Sequence, residues 1–175
     1  MQRNGEPLIF FLVRPWPRPW NLMVRDEHPS REATACQGSM MFAIKAEVSD
    51  PWAETFVFNA QKTMYGGKHV AKGDTIFVFA SENEGGPGLI ASGVVTSAKA
   101  IPKKRGIARQ TPRVSVTIKR TALAKRRLGR SELKLFSYRN DDRPETELNF
   151  KFYRQATNKI VSISDEAAAF LHGFF

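Results

Sequence analysis

A surplus of ten positive charges, 27 Lys and Arg against 17 Asp and Glu in 175 residues, points to a polyanionic partner, nucleic acid before an acidic membrane surface. Cys36 stands alone, which excludes an intrachain disulfide framework and favours a reducing compartment. The longest early apolar run, Leu8 to Val13, is too short to span a bilayer and has no signal-peptide cleavage pattern, so a cytoplasmic monomer without membrane, metal or cofactor is expected.

Residues 1–40 carry neither a helical nor a strand period. The run Arg14-Pro15-Trp16-Pro17-Arg18-Pro19-Trp20 forbids a helix, and an extended or disordered leader is expected there. Met40-Met41 directly precedes the first convincing strand, which suggests a native start at one of them and a single domain over 41–175. From Phe42 the alternation puts Phe42, Ile44, Ala46 and Val48 inward and Ala43, Lys45 and Glu47 on the other face of a half-buried strand. Asp50-Pro51 then turns the chain, with Asp50 suited to an N-cap and Pro51 to a first helical position. Trp52 to Tyr65 is divided between strand and helix signals and ends at Gly66-Gly67.

The strongest signal lies at Lys72 to Ser97. Thr75 to Ala80 and Leu89 to Val95 are apolar on both faces and flank a loop rich in Gly and acid, so they read as a central hairpin. Gly93 marks a bulge or a close backbone approach. Lys99 to Lys134 then holds thirteen Lys and Arg against the single acid Glu132. Within it Val114, Val116 and Ile118 alternate as a strand, Thr121 to Leu128 reads as a basic helix ended by Gly129, and Ser131 to Phe136 as a further helical turn. Tyr138 to Glu147 reads as a polar loop, Leu148 to Arg154 as strand-like alternation, and Asn158 to Ser162 as the last strand. Ser164 caps a terminal helix whose Ala167, Phe170, Leu171 and Phe174 form an apolar stripe. These elements describe a mainly β fold with peripheral helices (α+β), a barrel of five or six strands closed by a C-terminal helix.

At this point the residues resemble a family. Trp52 after the first strand, Lys72-Gly73-Asp74, Phe77-Val78-Phe79-Ala80-Ser81, Glu82-Asn83-Glu84, the returning strand GLIASGVV and the segment Arg154 to Ile160 are similar to EVE domains of the PUA-like superfamily, relatives of the YTH readers. The usual Trp-Gly-Val-Arg-Asn-like signature is replaced by Asn59-Ala60-Gln61-Lys62. The resemblance implies a pseudobarrel that takes a modified or flipped base of DNA or RNA into an aromatic pocket without catalysis. It also implies Trp52 as a pocket wall, Ser81 and Asn83 as edge readers, and Arg154, Gln155 and Asn158 as residues of a later loop.

The residues themselves add further candidates. Tyr65 and Tyr153 lie beside basic residues and suit base stacking. Asn59, Gln61 and Lys62 suit reading a base edge, and Lys103, Lys104, Arg105, Arg109, Lys125, Arg126 and Arg127 suit phosphate contacts. Against these stand plainer readings: Trp52 in the core with Phe56 and Phe58, the tyrosines as a barrel rim, and the basic run as a solvated face. His28, His69 and His172 show no metal-ligand spacing, and no phosphate-binding loop or nucleophile elbow is present. The alternative is an enzyme. ASCH-type relatives include small amidohydrolases acting on acylated nucleosides through Lys, Thr and Glu, for which Lys62-Thr63 with Glu82 or Glu84 is the nearest counterpart.

Overall fold

Alternating apolar side chains on short, strongly β-forming segments require closure or covering of their edges, and the chain closes them. A computed structural model describes residues 40–137, 141–155 and 157–175; the leader expected before Met40 lies outside the described residues. Six strands among them, β1 (Met41–Ala46), β2 (Thr55–Met64), β3 (Thr75–Ala80), β4 (Gly88–Ile101), β5 (Arg113–Leu123) and β6 (Lys159–Ser162), form a closed barrel in the order β1-β3-β4-β5-β2-β6. Pairing is mixed: β1 runs parallel to β3, β6 runs parallel to β2, and the remaining contacts are antiparallel.

The period of two sorts side chains into two apolar layers. Phe42, Ile44, Ile76, Val78, Val116 and Ile118 fill the barrel. Ala43, Phe77, Phe79 and Val161 leave the outer face and are covered by Leu148 and Phe152 of α2 (Pro144–Phe152) and Ala167 and Leu171 of α3 (Asp165–His172). This second layer is why β3 is apolar on both faces. It also corrects the half-buried reading of β1, whose outer face holds Ala43 and Lys45 at 0% and 1% exposure.

The hairpin of β3 and β4 is present and β4 runs on to Ile101. Gly93 does both things expected of it: the β4–β5 register shifts there, and a Cβ at this position would lie 2.6 Å from both Ile118 and the Lys119 carbonyl. Asp50 and Pro51 start no helix. Asp50 instead caps a turn, its Oδ1 accepting the Trp52 N–H at 2.9 Å, and the divided segment after it becomes β2. The basic helix expected over Thr121 to Leu128 is absent because β5 continues to Leu123, paired with Ala91 of β4.

One expectation is realised and one corrected in the region after β5. Gly129 leads into α1 (Arg130–Leu133), followed by a 3-10 turn at Lys134–Phe136, so the Ser131 to Phe136 expectation is realised. Pro144 to Phe152, expected as the end of a polar loop and most of an alternating strand, is α2 instead, and Tyr138, Arg139 and Asn140 lie outside the described residues. Pro144 opens the helix, Glu145 and Glu147 sit in its first turn, and Leu148 and Phe152 fall one helical turn apart on the buried side. Glu147 then ties α2 to α3. Its carboxylate accepts from the Lys151 Nζ at 2.7 Å, the Ser164 N–H at 3.0 Å and the Ser164 hydroxyl at 2.5 Å, while Ser164 caps α3 through the Ala167 N–H at 3.1 Å.

Candidate functional site

The site begins where β1 and β3 end side by side. Ser81 N–H donates to the Ala46 carbonyl at 2.8 Å, and the Ser81 carbonyl accepts from Glu84 and Gly86, which bends the chain into a 3-10 turn at Glu82–Glu84. Gly88 then passes so close to the next segment that a Cβ on it would meet the Leu128 carbonyl at 2.4 Å, and its φ of 89° is one that a side chain disfavours. That close approach places Glu82 beside α1, where its Oε1 accepts the Arg130 N–H at 2.5 Å.

Between this turn, α1 and α2 lies a pocket of about 1040 Å³. Its apolar lining is Phe136 and Phe150, and among the described residues its cations are Arg127, Arg130, Lys134 and Arg154. Phe150 packs against two neighbours: the Tyr65 ring at 5.5 Å and the Arg154 guanidinium at 5.2 Å. Its polar lining includes Glu82, Asn149 and Tyr153. Asn149 is engaged, donating to the Leu133 carbonyl. Glu82 Oε2 and the Tyr153 hydroxyl are buried, and neither meets hydrogen-bond geometry with a partner among the described residues. They are nevertheless close enough to interact. Burial first, and then the Glu82 carboxylate, hold the Tyr153 proton far more tightly than that of an ordinary phenol.

Behind Tyr153 lie two buried cations. Lys45 and Lys159 face each other across β1 and β6 and are 1% and 0% exposed. Lys45 Nζ sits 4.4 Å from the centre of the Tyr153 ring, and Lys159 Nζ donates to the Gln155 carbonyl at 3.1 Å. Burial lowers the pKa of both, Lys45 further through Arg130 and Lys159 further through Lys45, while Glu82 and Glu84 partly offset the effect at Lys45. The pocket therefore combines one carboxylate acceptor, one firmly protonated phenol donor, an aromatic wall and a ring of positive charge. Such a set holds a flat polar ring that carries both donors and acceptors, with anionic groups at the mouth.

The residues singled out in the sequence are distributed over several places. Asn59, Gln61, Lys62, Asn83 and Asn158 come together in a separate open cleft of about 360 Å³, with Glu84 and Arg113. A bulge in β2 shapes it: Ala60 takes a φ of 48°, and Arg113 donates to its carbonyl at 2.7 Å. Asn158 in turn faces the Glu84 carboxylate at 3.3 Å. Arg154 lines the large pocket and Tyr65 backs its Phe150 wall. Ser81 is 1% exposed with its hydroxyl buried, and Gln155 is exposed. Trp52 lies outside both, 72% exposed, in an apolar dip with Lys125, Arg126 and Arg127; it is not core, unlike Phe56 and Phe58. Lys103, Lys104, Arg105 and Arg109 are exposed on the β4–β5 loop, which Gln110 pins by accepting the Lys104 N–H at 2.9 Å and donating to the Ile107 carbonyl at 3.2 Å.

Solved structures supply the comparison. The chain is similar to human THYN1 in complex with 5-methylcytosine-containing DNA, at 15% identity over 77% of this chain and 96% of that one, with a TM-score of 0.53. It is equally similar to the DUF55 domain of human thymocyte nuclear protein 1, at 13% identity over 76% and 96%, with a TM-score of 0.53. The barrel shares its fold with these two structures, in line with the pseudobarrel that the sequence resemblance implies. No family model and no curated protein matches the chain.

Of the amidohydrolase counterpart, Lys62 and Glu84 share the open cleft, and Thr63 stands apart from them. Lys62 and Thr63 are consecutive on β2, so their side chains leave opposite faces, and the Thr63 hydroxyl donates to the Pro112 carbonyl at 3.0 Å. The residues missed in the sequence are Arg130, Lys134, Phe136, Asn149 and Phe150. For Asn149 and Phe150 the cause is α2: read as loop and strand, it hid the three-residue spacing that places Phe150 and Tyr153 on one helical edge. Glu82 had a visible signal, an acid directly after an aromatic strand that ends at a small residue.

Proposed function

We propose that this EVE-type barrel is a non-enzymatic nucleic-acid-binding module that takes one unpaired or extruded base of the cytosine class, its 5-methylated form included, into the pocket over Glu82 and Tyr153. The observation that carries the reading is the pair of buried polar atoms, Glu82 Oε2 and the Tyr153 hydroxyl, which interact with each other outside hydrogen-bond geometry and line an aromatic pocket ringed by cations. Buried polar atoms outside good hydrogen-bond geometry are uncommon, and a ligand or a water that improves it is favoured there. A cytosine edge meets this pair: its exocyclic amine donates to the carboxylate, and its ring acceptors receive the phenol proton. Phe150 offers the stacking face, and Arg127, Arg130, Lys134 and Arg154 offer phosphate contacts. The net charge of +10 supports the same partner, as does the methylcytosine-containing DNA bound by human THYN1.

Glu82→Gln tests it. Glutamine keeps the oxygen that accepts the Arg130 N–H but presents an amide donor where Oε2 stood. Affinity for single-stranded oligonucleotides bearing cytosine or 5-methylcytosine is expected to fall about 5- to 150-fold, the worth of one base-reading pair. Binding to a thymine-only oligonucleotide should not fall with it. Equal binding of cytosine oligonucleotides by Glu82→Gln and the parent protein refutes the pocket assignment.

A further inference from the structure

Trp52 is the large aromatic that the pocket does not use. It is 72% exposed, yet its backbone is fixed: Asp50 accepts the Trp52 N–H at 2.9 Å through its side chain and the Ala53 N–H at 3.3 Å through its carbonyl. Leaving most of an indole in water forgoes one of the largest hydrophobic gains available to any side chain, and here the indole lines a dip with a ready apolar floor. That floor is Pro87, Leu89, Ile90 and Leu123, lining a dip of about 260 Å³. Lys125, Arg126 and Arg127 line the same dip. Arg126 is committed elsewhere, donating to the Gly173 carbonyl at 2.5 Å and stacking 4.5 Å from the centre of the Phe174 ring. Arg127 lines both this dip and the large pocket, its exposed side chain held by a loose 4.0 Å ion pair to Glu132, so the two open onto a shared cation.

We infer that the Trp52 dip is a second base subsite, occupied by the nucleotide next to the one held over Glu82, with the phosphate between them on Arg127. The inference rests on the proposed base pocket and adds to it a flanking contact. An aromatic face beside a cation is the minimal unit for holding one unpaired nucleotide without reading its identity, because every base presents a π-face. The dip is apolar apart from those cations, so it has few groups with which to discriminate bases. The subsite therefore accepts any flanking base and lengthens the footprint rather than sharpening the sequence preference.

The test compares two ligands on the full chain: 5-methyldeoxycytidine monophosphate, which reaches the first pocket only, and a single-stranded DNA pentanucleotide with 5-methylcytosine between thymines. Trp52→Ala is expected to leave the monophosphate affinity unchanged and to weaken the pentanucleotide about 5- to 150-fold. Trp52→Phe, which keeps an aromatic face, should restore most of that loss. Unchanged pentanucleotide binding in Trp52→Ala, alongside weakened binding of both ligands in Glu82→Gln, overturns the subsite and leaves the pocket standing. If Glu82→Gln alters neither ligand, the base pocket falls and the subsite with it. Self-association of the parent protein that Trp52→Ala abolishes makes this face a contact between copies, which also overturns the inference.

Discussion

The dependence of binding on salt follows directly from the cations around the pocket. Arg127, Arg130, Lys134 and Arg154 line it, and each phosphate they neutralise releases condensed counterions. For a single strand each contact contributes about 0.7 to the slope of log affinity against log salt, so four give about −2.8. Raising salt from about 50 to about 200 mM should then weaken a short oligonucleotide about fiftyfold. Lys134→Ala removes one exposed contact and should bring the slope to about −2.1, so that the same salt change costs about eighteenfold. Fluorescence anisotropy of a labelled oligonucleotide at five or six salt concentrations measures both slopes. A slope shallower than about −1, or one that Lys134→Ala leaves untouched, refutes the placement of phosphates on this rim. A slope near −5.6 would instead enlist the four loop cations Lys103, Lys104, Arg105 and Arg109 as well.

Two further outcomes concern the buried charges that support the site. Burial lowers the folded-state pKa of Lys45 below its ordinary 10.5, so the folded chain gives up that proton before the unfolded chain does and stability should rise with pH through the window between the two values. Lys45→Met should stabilise the fold at neutral pH by about 1 kcal/mol or more and flatten that rise; urea unfolding at pH 7 and pH 10 measures it, and a destabilised variant refutes the account. At Glu147 burial opposes ionisation, but the hydrogen bonds from Lys151 and Ser164 outweigh it and hold the pKa below 4.5. Its contribution is therefore fully present above that value and lost as pH falls through the folded pKa. Glu147→Gln should cost about 2 kcal/mol at pH 7, seen as a Tm lower by roughly 4 to 8 °C, and should reduce the acid sensitivity of the parent protein. An unchanged Tm counts against Glu147 as the tie between α2 and α3.

The barrel was readable because its strands carry their own periods, and β3 with β4 carries the added mark of apolar residues on both faces. Lys45 shows where local reading stops. Alternation placed it on the outer face correctly, but only α2 and α3, more than ninety residues later, decide that this face is dry. The sequence Leu148 to Arg154 alternates every second residue and also repeats every fourth, and tertiary covering of Leu148 and Phe152 selected the helix. Thr121 to Leu128 erred the other way, since a long partner strand outweighed the helix preference of Ala122, Leu123 and Ala124. The large pocket suffered most from these misreadings, because Glu82, Arg130 and Tyr153 belong to three segments that meet only after folding. The second cleft was the easier one to anticipate, as Asn59, Gln61 and Lys62 lie together within a single strand.

The strand order has a consequence for synthesis. The seam of the barrel is β6, which lies between β1 and β2 although it is the last strand along the chain. A ribosome working towards Ser162 therefore exposes a nascent sheet with both flanking edges open, each rich in unpaired backbone groups. Folding waits on four residues, Lys159 to Ser162, and one of them is a lysine that must be carried into the interior as the seam closes.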